Sequence, residues 1–189
     1  AAIRYIVENS DLRKVDQAQV EQYTKDIMAP LELYEKHVNE TTDPDVNPNY
    51  LKPKMFMFRL QKIMDEYVGG VSAQFTTNKA CLEKGLELLA MLKEDAEKLA
   101  ARDLHELLRC FENVQRLWQA EAHTRTILFR EETRWPGYYR RADFPTMDEE
   151  NWHVFANCKW DPNKNEWEMI KRPMLHVYPQ AQEHELIGG

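Results

Sequence analysis

The residue types that most often perform catalysis or bind metals are scattered through this sequence of 189 residues. The six histidines show no repeated spacing. His105-Glu106 would begin the zinc-protease pattern HExxH, but position 109 is an arginine. No serine or cysteine stands in a known nucleophile motif, and no glycine-rich phosphate loop occurs. We therefore predict no catalytic residue, no cofactor-binding residue and no metal site in this sequence.

The three cysteines favour a reducing, cytoplasmic compartment. Their number is odd and no two form a CxxC pair, so neither a disulfide framework nor an iron–sulfur cluster site is indicated. They are Cys81, Cys110 and Cys158. No run approaches the roughly 18 apolar residues of a membrane span, and the N-terminus does not resemble a signal peptide. We expect free thiols and no direct membrane insertion.

One stretch does concentrate residues suited to recognition. Residues 130–145 contain four arginines, two tyrosines and a tryptophan around a Pro-Gly pair, in a chain whose net charge is −7. Arginine and aromatic side chains are favoured where a protein surface is buried against a partner. We therefore interpret this turn as a domain-docking surface. Its candidate residues are Arg134, Trp135, Tyr138, Tyr139, Arg140 and Arg141.

Other roles for this turn remain open. Its arginines could complement the negative pole of a preceding helix and form surface salt bridges, which contribute little when exposed. They could also act directly on a substrate, or raise the local potential for an anionic one. General nucleic-acid binding is not expected, because the net charge of −7 gives no basic footprint.

Apolar residues at helical spacing predict four helices that position this turn. We expect them at about 15–39, 53–68, 78–99 and 103–129. Pro30 should kink the first helix or split it in two, and Gly69-Gly70 should end the second. Long helices joined by short links pack antiparallel. The fold class is therefore mainly α, an antiparallel helical bundle.

The fourth helix has the strongest pattern. Asp103 and Glu106 resemble a capping box at its start, and Pro136 should end it in a type II turn. We expect Gly85 in the third helix to mark a close approach between helices. The predicted inward face of the fourth helix consists of Leu104, Leu108, Phe111, Val114, Trp118, Ala122 and Phe129.

The C-terminal part changes character. A short capped turn should begin at Thr146, and alternating apolar residues from Trp152 to Trp160 predict a strand. The turn-forming residues 161–165 and a second alternating run complete a β-hairpin, laid against the bundle or presented to a partner. The last ten residues have the composition of a disordered end.

Three regions follow from these patterns. Residues 1–14 begin as a helix with no preceding cap, so we expect the sequence to be a piece of a longer polypeptide. Residues 15–145 form the helical bundle domain. Residues 146–189 form a C-terminal extension with two short strands.

The order of these segments resembles the C-terminal helical domain of the succinate dehydrogenase/fumarate reductase flavoprotein family. That family has the run E-S-R-G-A-H-x-R-x-D-[YF]-P before a nearby tryptophan. Reading back from Asp143-Phe144-Pro145, Arg141 corresponds to the second arginine, Tyr139 to the histidine and Gly137 to the glycine. Arg134 corresponds to the first arginine only if Trp135-Pro136 is an insertion.

The sequence that replaces this family run here resembles the alpha subunits of dissimilatory adenylylsulfate reductases. The resemblance rests on "ETRWPGYY", "RADFP", "DEENW" and "KWDP", together with "APLELYE" near the start and "KRPMLHVYP" near the end. It implies a parent enzyme that interconverts adenylylsulfate and two electrons with sulfite and AMP through a flavin–sulfite adduct. It also implies FAD held by FAD-binding and capping domains of the same polypeptide, and a beta subunit carrying two [4Fe–4S] clusters. The same resemblance implies that residues 1–14 are the end of the last helix of the FAD-binding domain, plus a linker.

Three hypotheses about function follow. The preferred one is a scaffold domain of adenylylsulfate reductase that packs on the FAD domain and is inactive alone. Seating the iron–sulfur subunit is a further expectation of this hypothesis. A second is the same domain of a flavoprotein acting on fumarate, succinate or aspartate. A third is a free-standing helical interaction module.

Overall fold

The fold is known from a computed structural model, which describes residues 2–8, 15–43, 46–134 and 139–174. Within these ranges the chain is mainly helical, with 58% helix in six α-helices and an antiparallel β-hairpin near the C-terminus. This confirms that the fold is mainly α and confirms the predicted hairpin. No helix in the described ranges is both long enough and apolar enough to cross a membrane.

The elements follow in a simple order along the chain. The helices are α1 (Ala2–Glu8), α2 (Gln17–His37), α3 (Pro53–Tyr67), α4 (Lys79–Ala96), α5 (Leu104–Phe129) and α6 (Glu149–Trp152). The strands are β1 (Thr76–Thr77), β2 (Arg140–Arg141), β3 (Val154–Asp161) and β4 (Glu166–Pro173). A single 3-10 turn, Val38–Glu40, follows α2.

Helix α2 runs through Pro30 as one element, so the predicted alternative of two separate helices is wrong. The Pro30 carbonyl accepts a hydrogen bond from the Ala101 N–H at 2.9 Å, which ties this part of α2 to the segment before α5. The apolar stripe of α2 is half-buried only in its C-terminal half. In the N-terminal half Val20, Tyr23 and Ile27 are 42–58% exposed.

The core lies among α3, α4 and α5. Pro53 occupies the first turn of α3 and Gly69 follows its end at φ +87°, as the sequence predicts. Gly85 faces α3: a Cβ added there would lie 3.3 Å from Tyr67 and Val68, which confirms the predicted close approach. The buried core residues are Phe56, Leu60, Leu89, Leu92, Leu99, Ala101, Leu107, Cys110, Leu117 and Ala120.

The buried face of α5 differs from the predicted one. Leu104 and Leu108 are 70% and 57% exposed, so the first half of the predicted stripe points outward. Small and polar side chains make the close contact instead, because they let α5 approach its neighbours. Asn113, for example, donates to the Pro53 carbonyl at 2.7 Å. The buried positions are Leu107, Cys110, Asn113, Leu117, Ala120 and Thr124.

The start of α5 follows the capping prediction closely. The Asp103 carboxylate accepts from the Glu106 N–H at 2.8 Å. The Glu106 carboxylate accepts from the Arg102 N–H at 3.1 Å, one residue before the cap. The predicted cap at Thr146 is wrong, because α6 begins after Asp148, whose carboxylate accepts from the Asn151 N–H at 3.0 Å.

The hairpin packs on α5 through a tryptophan cluster. Trp160 and Trp167 face each other across β3 and β4, and both rings contact Trp118 of α5 at centroid distances of 5.0 and 5.6 Å. The Lys93 ammonium of α4 lies 4.4 Å from the Trp118 centroid. Burial against α5 therefore accounts for the alternating tryptophans of the hairpin.

Several sequence predictions fall outside the described residues. They are the type II turn at 135–138, the linker at 9–14 and the C-terminal end at 175–189.

Candidate functional site: a charged junction at the end of α5

The junction where α5 ends is organised by Arg141, although this side chain is only 2% exposed. Its Nη1 donates to the carbonyls of Ile127 and Arg130 at 2.5 and 2.9 Å, and to that of Leu128 at 3.3 Å. The last carbonyls of a helix have no partner within the helix and carry partial negative charge. Arg141 therefore caps the C-terminus of α5 with a full positive charge.

Asp143 balances that charge and extends the connection to α4. Its two oxygens accept from Nε and Nη2 of Arg141, each at 2.8 Å, in a bidentate pair. One of these oxygens also accepts from the backbone N–H of Lys79, the first residue of α4, at 2.9 Å. The Arg141 guanidinium holds the pKa of the Asp143 carboxyl below its ordinary value of 3.8.

Charges of alternating sign therefore connect two helix ends. The order is the N–H groups of α4, the Asp143 carboxylate, the Arg141 guanidinium and the carbonyls of α5. Each neighbouring pair is electrostatically favourable, because a helix carries positive charge at its N-terminus and negative charge at its C-terminus. We call this arrangement the Arg141–Asp143 bridge.

Backbone contacts hold the bridge in register. Strand β2 pairs in parallel with β1, so that Thr76 lies opposite Arg140 and Thr77 opposite Arg141. The Thr133 hydroxyl donates to the Phe144 carbonyl at 2.7 Å and accepts from the Arg141 N–H at 2.9 Å. After α5 the chain therefore turns back, so that residues 141–144 pack against Thr133 close to the end of the helix. These contacts hold Arg141 in position.

Tyr139 connects the same segment to α3. Its hydroxyl donates to the Val68 carbonyl at 3.0 Å, just after the last residue of α3. The Tyr139 ring lies so close to Gly69 that an added Cβ would meet its Cε2 at 2.9 Å. Glycine is therefore required there by space as well as by its positive φ. Burial raises the pKa of the Tyr139 hydroxyl, which keeps it a neutral donor.

A second charged cluster surrounds Glu132, whose side chain is completely buried. Its carboxylate accepts from Arg130, from Nε of Arg134 at 2.7 Å and from the Asp148 N–H at 3.0 Å. Arg134 also donates to Glu149 at 2.7 Å, in the first turn of α6. Glu132 thus joins the chain after α5 to the start of α6.

The carboxyl of Glu132 titrates below its ordinary range. Burial alone would raise its pKa, but hydrogen bonds from Arg134, the Asp148 N–H and Arg130 outweigh burial, and the pKa lies below the ordinary 4.5. A buried carboxylate is tolerated only with such partners. Glu132 is therefore a charged structural centre, and no proton transfer role follows from its surroundings.

Arg130 extends this cluster to the hairpin. Its guanidinium donates to the carbonyls of Trp152 and Val154 at 3.0 and 2.7 Å. The Trp152 ring packs edge-on against Phe129 at a centroid distance of 5.4 Å, and Lys171 lies 3.5 Å from its centroid. The end of α5, α6 and the first residue of β3 are thereby fixed as one unit.

The six docking candidates occupy different environments. Arg141 is buried inside the chain, Arg134 has a side chain 23% exposed, and Tyr139 is half-buried against Gly69. Arg140 is exposed. Trp135 and Tyr138 lie outside the described residues. The structure therefore gives Arg141 and Arg134 partners within the chain, and their docking role stays a prediction.

Sequence reasoning missed the acidic half of this junction. Glu132 and Asp143 alternate with the arginines over a dozen residues, and this alternation is the signal that could have indicated internal ion pairs. The pairing of β1 with β2 had no comparable signal, because two-residue strands carry no periodicity.

Two cavities adjoin the junction. One, of about 130 Å³, lies between α5 and the returning chain and is lined by Glu132 and Arg141 among others. The other is a groove of about 960 Å³ between α3 and α5, bordered by Gly69 and Tyr139. The charged side chains that line the smaller cavity are already engaged in the ion pairs and hydrogen bonds described above.

The described residues offer no obvious place for a metal or a flavin. Among them, no three His, Cys, Asp or Glu side chains converge on one point. The three cysteines are free, and burial raises the pKa of the Cys110 thiol to about 12, so this thiol is unreactive. The sequence has no Gly-x-Gly-x-x-Gly loop for a dinucleotide. These residues do not fit a flavin site.

The family of the chain follows from comparison with known proteins. Residues 57–183 match the family described as fumarate reductase flavoprotein C-term. The match covers more than half of the sequence and includes the whole junction. The chain belongs to this family of flavoprotein C-terminal domains.

Several adenylylsulfate reductases are similar over nearly the whole chain. The adenylylsulfate reductase subunit alpha of Megalodesulfovibrio gigas is 46% identical over 177 residues, which cover 94% of this chain and 27% of that protein. The structure of adenylylsulfate reductase from the hyperthermophilic Archaeoglobus fulgidus is 49% identical with a TM-score of 0.89. The same values hold for adenosine-5-phosphosulfate reductase in complex with sulfite as a covalent adduct. Both structural matches cover 93% of this chain, and the chain spans 27% of the length of each relative.

The buried position of Arg141 predicts a large loss of stability when it is removed. We expect Arg141→Ala to lower the free energy of unfolding by about 3–5 kcal/mol, because Asp143 and three carbonyls lose their partner. The exposed neighbour Arg140 serves as the control. Arg140→Ala should change the free energy of unfolding by less than about 0.5 kcal/mol. Urea unfolding followed by circular dichroism measures both variants. Equal losses would show that the guanidinium of Arg141 is not the connecting group.

The lowered pKa of Glu132 predicts a defined pH dependence. The stability gained from such a carboxylate is complete above its unfolded pKa of about 4.5 and is lost as the pH falls through the lower folded value. Glu132→Gln should therefore be less stable than the wild type at pH 7, and the difference should shrink below about pH 4.5. Glu131→Gln, at an exposed position, should follow the wild type throughout. A constant difference between Glu132→Gln and the wild type across this range would contradict the charged role.

Proposed function

We propose that this chain is the C-terminal helical domain of the flavoprotein alpha subunit of an adenylylsulfate reductase. The parent enzyme would convert adenylylsulfate and two electrons reversibly to sulfite and AMP. The supporting observation is 46–49% identity to adenylylsulfate reductases over 93–94% of the chain, with a TM-score of 0.89 for the solved structures. Because the chain spans 27% of these relatives, the activity belongs to the larger polypeptide.

Within that enzyme the chain acts as a scaffold, with α2 to α5 arranged as an antiparallel bundle. FAD, held by FAD-binding and capping domains of the same polypeptide, would supply the two-electron chemistry. A beta subunit carrying [4Fe–4S] clusters would deliver the electrons. The contribution of this chain is to hold a neighbouring surface in one geometry, which the buried Arg141–Asp143 bridge supports.

The docking surface of this scaffold is the turn after α5. Arg140 is exposed, Tyr139 is bonded to the Val68 carbonyl, and Arg134 is bonded to Glu132. Rigid presentation lowers the entropy lost when a surface is buried. Trp135 and Tyr138 lie between these residues in the sequence and complete the proposed surface, whereas Arg141 orients it from within.

A second exposed surface supports a partner domain. The apolar side chains Ile3, Ile6 and Val7 of α1 are 65–80% exposed. The N-terminal half of the α2 stripe is likewise exposed, and exposed apolar side chains of this kind suit a partner surface. We assign α1 to the last helix of the FAD-binding domain, so that residues 1–14, 15–145 and 146–189 are the end of that domain, the bundle and its extension. The free cysteines are consistent with a cytoplasmic location.

The alternative within the family is a flavoprotein that acts on fumarate, succinate or aspartate. The family match shows that this alternative shares the same C-terminal domain, but it does not distinguish the substrates of the two kinds of enzyme. The sequence at the junction has Tyr139 where those enzymes have a histidine and carries the additional Trp135-Pro136. The free-standing interaction module has no specific observation in its favour.

The protein expressed from its complete gene tests the proposed activity. We expect flavin-dependent oxidation of sulfite with AMP to adenylylsulfate, the two electrons passing to an added acceptor such as ferricyanide, and no oxidation of succinate. Chromatographic detection of adenylylsulfate, with AMP omitted as control, measures the reaction. Succinate oxidation, or a natural protein without any flavin, would contradict the proposal.

The exposed arginine of the turn tests the docking role separately. Arg140→Glu should weaken the association of this chain with separately expressed FAD-binding and capping domains by about tenfold, because a charge at the interface is reversed. Lys84→Glu is the control, since Lys84 is exposed on α4 and pairs with Glu87 of the same helix. Isothermal titration calorimetry measures the affinity, and circular dichroism confirms that helicity is unchanged. Equal affinities of the two variants would place docking elsewhere.

A further inference from the structure

A cationic cleft lies on the opposite side of α5 from the hairpin contacts. It has a volume of about 500 Å³ and lies between the start of α3 and the first half of α5. Most of its lining side chains are basic, in a chain whose net charge is −7. The basic residues are Lys52, Lys54, Arg102, His105, Arg109 and Arg116. Glu106 is the single acidic residue among the described lining residues.

The arginines of this cleft recur at a fixed spacing. Arg102, Arg109 and Arg116 are each seven residues apart, and Arg109 and Arg116 are therefore two helical turns and about 10 Å apart along α5. Residues seven apart lie on nearly the same face of a helix. The positive charges consequently form a row along one wall, and the two lysines at the start of α3 stand on the other wall.

This row is only partly neutralised within the chain. Arg102 pairs with Glu106 at 3.1 Å and with Asp103 at 3.6 Å, and Arg116 pairs with Glu112 at 3.2 Å. Arg109 has no carboxylate partner among the described residues. Its Nε donates to Nε2 of His105 at 3.1 Å, a contact that adds no negative charge.

Lys54 likewise has no carboxylate partner in the part of the chain that the structure describes. Its ammonium lies 5.7 Å from the centroid of the Phe58 ring. Both Lys54 and Arg109 are exposed, so their donors face solvent at the cleft. Arg109 and Lys54 therefore bring positive charge to the cleft that no carboxylate among the described residues pairs with.

We propose that this cleft binds a carboxylate-rich segment of a separate partner protein. The planar guanidinium group binds carboxylates in bidentate fashion, and a row of arginines matches a row of carboxylates. A separation of about 10 Å corresponds to about three residues of an extended peptide or seven of a helix, so either form of acidic segment can reach both Arg109 and Arg116.

The dimensions of the cleft favour a protein segment over other anions. A single phosphate or sulfate is far smaller than this cleft and would reach only part of the arginine row. Nucleic acid requires a broad basic surface, which the acidic remainder of this chain does not provide. A separate protein fits better than another part of the same polypeptide, because exposed charges favour steered association between independent molecules. The exposed apolar residues of α1 and α2 suit intrachain packing.

Fluorescence anisotropy with a labelled acidic peptide tests this proposal. The probe is an oligoglutamate of about twelve residues, long enough to cover the arginine row in extended form. The protein is expressed from its complete gene, and binding is measured at about 50 and 200 mM NaCl, because exposed charges are screened by salt. We expect saturable binding that weakens at the higher salt concentration.

Charge-reversed variants locate the binding. The double variant R109E/R116E should weaken peptide binding by about tenfold or more, because two attractive contacts become repulsive. The control K62E/K84E reverses the same number of charges at exposed positions outside the cleft lining and should change binding less than about twofold. Unchanged helicity by circular dichroism shows that each variant is folded.

Each other outcome would overturn the proposal. Absence of saturable binding, or equal weakening in both double variants, would show that the cleft does not select an acidic segment. Displacement of the peptide by sulfate or AMP beyond the effect of matched ionic strength would indicate a small-anion site. Tighter binding of a single-stranded oligonucleotide of equal charge would indicate nucleic-acid binding. The activity assay measures the formation of adenylylsulfate and not peptide binding. Failure of the cleft proposal can therefore be told apart from failure of the proposed function.

Discussion

A buried guanidinium at the point where α5 ends is the constraint on which the junction depends. Arg141 satisfies three backbone carbonyls at that end, and Asp143 balances its charge while accepting from the first N–H of α4. An unpaired charge in this position would be strongly destabilising. The chain can therefore follow only the path that brings these groups together, and the β1–β2 pairing and the Tyr139 contact with Gly69 follow from that path.

This constraint separates two roles within a short stretch of cationic residues. Arg141 stabilises the fold from inside, and Glu132 does the same for Arg130 and Arg134 with its fully buried carboxylate. Arg140, by contrast, is exposed, and the segment that carries it is held in place by Arg141. A rigid surface of this kind supports the proposed scaffold role of the chain.

The sequence predicted the helices well, because apolar periodicity, Pro53, Gly69 and Asp103 each act locally. The sequence-based prediction failed where packing between helices determines which residues are buried. Large apolar residues such as Leu104 were expected inside α5, but close packing selects smaller residues and a hydrogen-bonded Asn113. At the site, the arginines were recognised but their partners were not, since the Arg141–Asp143 bridge depends on a helix end that is 11 residues or more away in sequence. The family resemblance supplied what no residue pattern in the chain could, namely a parent enzyme.

The central claim is that Arg141 and Asp143 act as one unit between two helix ends. A double-mutant cycle with Arg141→Gln and Asp143→Asn, followed by urea unfolding, measures their coupling directly. We expect a coupling free energy of about 1–3 kcal/mol, because each substitution removes the charge that the other residue balances. Additivity of the two effects within about 0.5 kcal/mol would contradict the account and would reduce the bridge to two independent contacts.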